Sequence, residues 1–329
     1  MSVFLLYPEN LLFELLKKMS LYVILKLAIL SKIKKGWHII MDMKYNYLRF
    51  PGGKAKAITL SYDDGSKDDI RFLEIINKYG LKCTFNLVGK DVETERHLSN
   101  EFIRENMLKK GHEVANHGYY HRAQNRIRPI EGIRDIIDCR IVLEKAFGTI
   151  IRGMAYPDCA LDPIAEPNTY DKIQSYIKEL GIVYSRNCTG DNDKFALPDN
   201  WFNWLPTAHH NNPQIFNYID KFLNLDVNSQ YIASRTPKLF YMWGHSFEFE
   251  CRHNWDHLEA LCQKLSGHED VWYATNIEIY DYVNAYNSLI YSADGTTVYN
   301  PTLFTIWFDI DKTLYTIKPG ETLKISQDK

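Results

Sequence analysis

From Tyr45 onward the apolar positions follow a repeating order: a short apolar or β-branched run, then a longer stretch with helical spacing. The short runs Ile58–Tyr62, Lys82–Leu87, His112–Asn116, Ile150–Tyr156, Ile182–Asn187, Leu239–Gly244 and Val271–Thr275 read as strands. The stretches Ser66–Tyr79, Ser99–Lys110, Ile130–Phe147, Thr169–Leu180, Gln214–Leu223, Trp255–Leu265 and Ile277–Leu289 read as helices. Four of them stop just before Gly80, Gly111, Gly148 and Gly181, and Ser66 reads as the N-cap of the first. A further strand is expected near Phe202–Leu205. Repeated strand–helix units imply parallel strands with right-handed crossovers. No Gly-rich phosphate loop follows the first strand, so the α/β class reads as a distorted (β/α)7–8 barrel, TIM-barrel-like, rather than a nucleotide-binding sheet.

After Ser288 the period shortens. Thr296–Tyr299, Leu303–Asp309, Thr313–Ile317 and Thr322–Ile325 read as strands joined by turns at Asp294-Gly295 and Pro319-Gly320. The chain therefore divides into an apolar, basic segment at 1–40, a barrel at 41–289 and a small C-terminal β appendage at 290–329. In the first of these, Glu14, Lys17, Lys18 and Lys26 interrupt the apolar run, and its cleanest part, Leu21–Leu30, is too short to span a bilayer. It has neither a basic n-region nor a small-residue cleavage site, and Met41 and Met43 stand just before the globular pattern. The expectation is that it lies outside the functional protein; an amphipathic helix against a membrane is the lesser alternative.

A barrel gathers reactive residues at the C-terminal ends of its strands. Here Asp63 and Asp64 follow the first strand, Asn86 ends the second, and His117 and His121 follow the third. Tyr156-Pro157-Asp158 ends the fourth, Arg186 lies near the end of the fifth, and His245 follows Gly244. Alone, Asp63-Asp64-Gly65 would be an ordinary solvated turn. Paired carboxylates beside a core call for a cation, however, and two imidazoles four residues apart reach one ion when they share a helical face. Two His and one Asp make a three-ligand site with open positions, which suits catalysis rather than bracing. The second Asp is then free to act as a base, and His245 is the candidate acid. His253 and His257 repeat the spacing but read as surface residues.

Composition narrows the picture only modestly. A net charge of −2 gives no reason to expect nucleic acid. The 6 cysteines show no paired spacing and read as buried thiols, which with the lack of a leader favours the cytoplasm, the cell envelope being the alternative. Twenty-two tyrosines and seven tryptophans would fill a bulky core or stack on sugars, and core packing is the reading for Trp201 and Trp204. His209 and His210 are candidates to line the cleft. Oligomeric state is left open.

The motifs resemble those of the polysaccharide deacetylases, the NodB-homology domain of carbohydrate esterase family 4, from about Ala57 to Ala285. The T-F-D-D-G pattern stands here as Ser61-Tyr62-Asp63-Asp64-Gly65, and H-[ST]-x-x-H as His117-Gly118-Tyr119-Tyr120-His121, with Gly118 in place of the hydroxyl residue. The late histidine motif is similar to Leu239–His245. The resemblance implies Zn²⁺ or another divalent metal on Asp64, His117 and His121, with Asp63 as base and His245 as acid, and hydrolysis of an N-acetyl group on a carbohydrate substrate. Tyr156, Pro157, Asp158 and Trp243 are expected to border that substrate, with a backbone N–H near Pro157-Asp158 for the oxyanion.

Two departures follow. In the R-x-P-Y pattern Ala155 stands where the arginine belongs, and Arg152, three residues earlier on the same strand, points elsewhere. Arg186, at the end of the next strand, is expected to supply the guanidinium that orients Asp63. The acid-and-tryptophan motif after the fifth strand has no clear counterpart. Two alternatives stay beside the deacetylase: a hydrolase of small or cyclic amides on the same barrel, and an inactive carbohydrate-binding barrel.

Overall fold

The computed structural model describes residues 44–92, 94–95, 97–159, 170–188, 190–228 and 232–325. The 1–40 segment lies outside them. Its strands, in chain order, are β1 (Asn46–Arg49), β2 (Lys56–Asp64), β3 (Cys83–Leu87), β4 (Glu113–Asn116), β5 (Gly153–Ala155), β6 (Tyr184–Arg186), β7 (Ala208–His209), β8 (Lys238–Gly244), β9 (Val271–Tyr273), β10 (Ile290–Tyr291), β11 (Thr297–Tyr299), β12 (Ile306–Ile310), β13 (Thr313–Ile317) and β14 (Thr322–Lys324). An eight-stranded parallel sheet runs β6-β5-β4-β3-β2-β8-β7, with β9 also paired to β2. β8 takes one edge of β2, while β3 covers the upper part of the other edge at Leu60–Asp64 and β9 the lower part at Lys56–Ile58. β2 is therefore the central stave, with eight of its nine residues buried.

The sheet curls into an open barrel of α/β type. No ladder joins β6 to β7, but the chain before β7 crosses the seam: Trp204 N–H donates to Ser185 O at 3.1 Å, and Asn187 N–H to Trp204 O at 3.0 Å. Helices Asp69–Lys78, Pro129–Phe147, Tyr170–Glu179, Ile215–Leu223, Trp255–Leu265 and Asn276–Asn287 pack around it. Their apolar faces meet the outward side chains of β2, β3 and β8 in the main core, which includes Tyr62, Phe72, Phe85, Phe240 and Leu261. Inside the barrel the layers are aromatic and polar: Tyr184, Trp204 and Tyr241 pack edge to face, and buried Glu113 accepts hydrogen bonds from Thr84, Tyr184 and the Ile277 N–H.

Several local expectations change. The strand before the carboxylates runs on through Asp63 and Asp64. The helix expected from Ser66 starts at Asp69; Ser66 instead accepts from the Asp68 N–H and pairs with the Ser246 hydroxyl at 2.9 Å. Residues 99–110 form one α turn capped by Ser99, then a π-helix at Ile103–Met107 and a 3-10 turn at Leu108–Lys110. The strand expected near Phe202–Leu205 is a 3-10 turn at Trp201–Asn203, and the eighth strand is the two-residue β7. The appendage strands form two sheets, β1-β12-β13 and β10-β11-β14, so the first described strand pairs with the C-terminal part of the chain. They sit on helix Asn276–Asn287, where the Tyr282 hydroxyl donates to Arg49 O and accepts from the Trp307 N–H. Cys83, Cys139, Cys251 and Cys262 are free thiols, but Cys188 is disulfide-bonded, so the expectation of unpaired cysteines is corrected and their pattern no longer argues against an oxidising compartment. Among the described residues no helix is long and apolar enough to cross a membrane.

Candidate active site

Side chains alternate along a strand, so neighbouring residues at the end of β2 face opposite ways. Asp63 turns into the barrel and is 3% exposed. Asn86, on β3, donates to its Oδ1 at 2.8 Å. Arg186, on β6, donates through Nη2 to its Oδ2 and is itself only 1% exposed. Burial alone would raise the Asp63 pKa, but Arg186, His117, His245 and the Asn86 hydrogen bond together bring it below the ordinary 3.8. The guanidinium is backed by the Trp243 ring, whose centroid lies 4.5 Å from its carbon. Arg152 is engaged elsewhere, in a pair with Asp281 at 2.5 Å.

Asp64 leaves the strand with φ +76°, a left-handed turn that swings its carboxylate out towards the loop after β4. That loop is not the helical turn that the His-x-x-x-His spacing suggested. Gly118 and His121 both take positive φ, at +73° and +55°, and these two turns bring the imidazoles together. His117 Nε2 lies 3.6 Å and His121 Nε2 3.4 Å from Asp64 Oδ1, and His117 Nε2 lies 3.9 Å from Asp63 Oδ2. Asp135, from helix Pro129–Phe147, props the loop. Its Oδ1 accepts from the Tyr120 N–H at 2.7 Å and its backbone carbonyl from the Tyr119 N–H at 2.8 Å. The departure at residue 118 has a physical cause: a Cβ there would run into Asp135 Oδ2.

Among the described residues, two groups of side chains converge closely enough to hold a cation: Asp64 with His117 and His121, and His209 with His245 and Glu248. The far nitrogen of each imidazole separates them, because a ligating histidine donates its other N–H. His117 Nδ1 faces the Ala155 carbonyl at 2.9 Å, so it carries the hydrogen and Nε2 presents a lone pair to the cleft. Together with a half-exposed carboxylate this donor set fits a divalent ion such as Zn²⁺. His209 Nδ1 instead accepts from the Asn211 N–H at 3.1 Å, so its Nε2 carries the hydrogen and points it at Glu248. The second group does not fit a metal; it fits hydrogen bonds converging on one carboxylate.

That carboxylate, Glu248, has no counterpart in the sequence reading. It lies one turn after His245 and accepts from His245 Nδ1 at 2.9 Å, which leaves His245 Nε2 facing Asp63 Oδ2 at 4.0 Å and Asp64 Oδ2 at 3.9 Å. Burial works to raise the Glu248 pKa, but hydrogen bonds from His209, His210 and His245 hold it far below the usual carboxylate range. Burial likewise works against protonation of His245, yet Glu248, Asp63 and Asp64 raise its pKa above 6.5.

The remaining expected residues divide. Asp158 is exposed with φ +52° and lies 3.9 Å from His121 Nδ1. Trp243 is half-buried, its ring centroid 5.9 Å from that of His245. Tyr156 does not border the cleft: it is 1% exposed, its hydroxyl donates to Phe202 O at 2.8 Å and its N–H to Arg186 O at 3.0 Å. Since Pro157 lacks an N–H, only Asp158 of these three has an amide for an oxyanion. Trp204 is fully buried and Trp201 packs on it, while His209 lies beside Trp243 and His210 is wholly enclosed. A cavity of about 340 Å³ opens beside Asp64 and His121, lined also by Ser66, Lys90, His97 and Phe247.

Comparison with known proteins bears on this geometry. Residues 50–184 match the family model described as polysaccharide deacetylase. YxkH of Bacillus subtilis (strain 168), named as a polysaccharide deacetylase, is 25% identical over 103 residues, which are 31% of this chain and 37% of that protein. The peptidoglycan-N-acetylmuramic acid deacetylase PdaC of the same organism is 32% identical over 102 residues, 30% of this chain and 21% of that protein. The matches thus cover well under half the length of these curated relatives. A solved Mycobacterium smegmatis structure described as a polysaccharide deacetylase shares the fold with TM-score 0.51 at 16% identity, covering 74% of this chain and 96% of that one. Residues 50–184, which carry both aspartates and the two clustered histidines, are thus similar to the polysaccharide deacetylases.

Proposed function

We propose that the protein is a metal-dependent hydrolase that removes N-acetyl groups from the amino sugars of a polysaccharide or glycoconjugate. The observation that carries this reading is the grouping of Asp64, His117 and His121 around one point, with Asp63 held against Arg186 at its edge. A barrel that only bound carbohydrate would have no use for a buried, ionised carboxylate clamped by a buried guanidinium.

Asp64 Oδ1, His117 Nε2 and His121 Nε2 would hold the ion. When bound, a divalent cation supplies Lewis acidity, polarising the acetyl carbonyl and easing deprotonation of water. Asp63 accepts the proton of the attacking water. Its two fixed partners, Asn86 and Arg186, keep that carboxylate aimed at the cleft. The Asp158 N–H is the backbone donor for the oxyanion. As the carbon–nitrogen bond breaks, His245 gives the proton on Nε2 to the departing amine, and Glu248 on Nδ1 stabilises the charged ring. The products are acetate and a free amino sugar.

The test is acetate release from a panel of N-acetylated amino-sugar oligomers and small amides by zinc-loaded and chelator-treated protein. Release from at least one sugar, lost on chelation and restored by zinc, is expected. No release from any sugar by metal-loaded protein refutes the reading.

A further inference from the structure

Glu248 fixes His245, and its own position depends on groups that are not at the cleft. Oε1 receives His245 Nδ1 at 2.9 Å and faces His209 Nε2 at 3.4 Å. Oε2 receives Asn211 Nδ2 at 2.7 Å and faces His210 Nε2 at 3.2 Å. His210 has no exposed surface. Its ring stacks on Phe249 at 4.2 Å, and the nearly parallel Tyr62 ring lies beside it at 5.7 Å. Gly244 makes room for it, since a Cβ there would collide with His210 Nδ1. From outside, His257 Nε2 bonds to the His210 carbonyl at 2.9 Å.

Burial drives the His210 pKa down to about 4, so the ring is neutral and carries one N–H. Its Nδ1 lies 3.2 Å from the Tyr62 hydroxyl. If Tyr62 O–H donates to Nδ1, the ring hydrogen sits on Nε2 and donates to Glu248. The other tautomer would set a lone pair against an ionised carboxylate. Asn211 Nδ2 donates one hydrogen to Oε2 and also lies 2.8 Å from His210 Nε2; its second hydrogen could bond Nε2 only in the Nδ1–H tautomer, and a hydrogen bond from Nε2 to the charged Glu248 outweighs that neutral contact.

We propose that Tyr62 and His210 are positioning residues for His245. The Tyr62 hydroxyl sets the tautomer of His210, the His210 N–H fixes Glu248, and Glu248 fixes the His245 ring. β2 thereby serves both ends of the reaction: Asp63 faces the barrel interior, while Tyr62, on the opposite face, orders the acid. The proposal rests on the reading of His245 as the acid.

The test joins a spectroscopic measurement to kinetics. Nitrogen NMR of ¹⁵N-labelled protein reports which His210 nitrogen carries the hydrogen, independently of turnover. Tyr62→Phe, His210→Leu and His210→Gln are assayed for acetate release with zinc content recorded. The expected result is an Nε2–H tautomer in the wild type. In Tyr62→Phe and His210→Leu, kcat falls about 10- to 100-fold, the scale for hydrogen-bonded supports behind a working histidine, with KM and zinc content unchanged. His210→Gln, which keeps an N–H for Glu248, stays within about threefold of wild type. An Nδ1–H tautomer overturns the proposal, as does wild-type kcat in Tyr62→Phe, which removes one buried hydroxyl and keeps the ring. If no sugar is deacetylated even by the wild type, the deacetylase reading fails, and the tautomer still decides the hydrogen-bond chain.

Discussion

Replacing Gly118 by serine would put back the hydroxyl residue of the H-[ST]-x-x-H pattern, and in this chain it should damage the site. Residue 118 has φ +73°, and holding a side chain in that region costs roughly 1–2 kcal/mol. The new Cβ would also overlap Asp135 Oδ2 and come within 3.4 Å of Pro157 Cγ. Asp135 would have to move, giving up its bond from the Tyr120 N–H at 2.7 Å and from Gln124 Nε2 at 3.1 Å. Losing even one of these hydrogen bonds to a charged group costs about 1.5–3 kcal/mol, so strain and one lost bond together come to about 2.5–5 kcal/mol. That cost falls on the loop conformation that brings His117 and His121 to Asp64. At about 1.4 kcal/mol per factor of ten, zinc affinity should fall roughly 60- to 4,000-fold. Competition with a chromophoric chelator measures it, and thermal unfolding of the metal-free variant checks that the barrel is intact. Zinc affinity within threefold of wild type in Gly118→Ser would refute the reasoning.

Three further outcomes follow from the same geometry. Arg186→Ala should lower acetate release by roughly two orders of magnitude, the scale for misplacing a reacting group by about 1 Å, with one zinc still bound; unchanged turnover would remove Arg186 from the account. Adding zinc to a free concentration about 100 times its Kd should stabilise the wild type by about 2.7 kcal/mol in thermal unfolding, and His117→Ala should show no such gain. Glu113 is held up to about 7 by burial, against an ordinary 4.5, despite hydrogen bonds from Tyr184, Ile277 and Thr84. Its folded pKa is raised, so its contribution to stability is full below about pH 4.5 and is lost as pH rises through about 7, a change of about 3 kcal/mol. Denaturant unfolding between these pH values should show that slope, and Glu113→Gln should flatten it.

The alternation of strands and helices was legible because each long strand carries its own apolar run, and seven runs led to seven observed strands. Reading strand ends as a rim brought Asp63, His117, Arg186 and His245 to one place before any contact was known. What was missed depends on contacts that sequence spacing does not encode. β7 has two residues, too few for a period, and β1 finds its partner in β12, far along the chain. His117 and His121 meet through two positive-φ turns rather than a helical face, a geometry that their four-residue separation does not reveal. Glu248 stands three residues after His245, but its role became visible only when His209, His210 and Asn211 were found around it. Tyr156 looked like a cleft residue from its place after β5, yet its hydroxyl and its amide are both taken inside the fold.

Zinc content and acetate release, measured side by side on wild type and Asp63→Asn with an N-acetylated amino-sugar oligomer, test the separate roles of the two aspartates most directly. The account predicts one zinc per chain in both proteins, and acetate release that falls at least about 100-fold in the variant, within the usual contribution of a positioned base. Undiminished release by Asp63→Asn, or loss of its zinc, would contradict it.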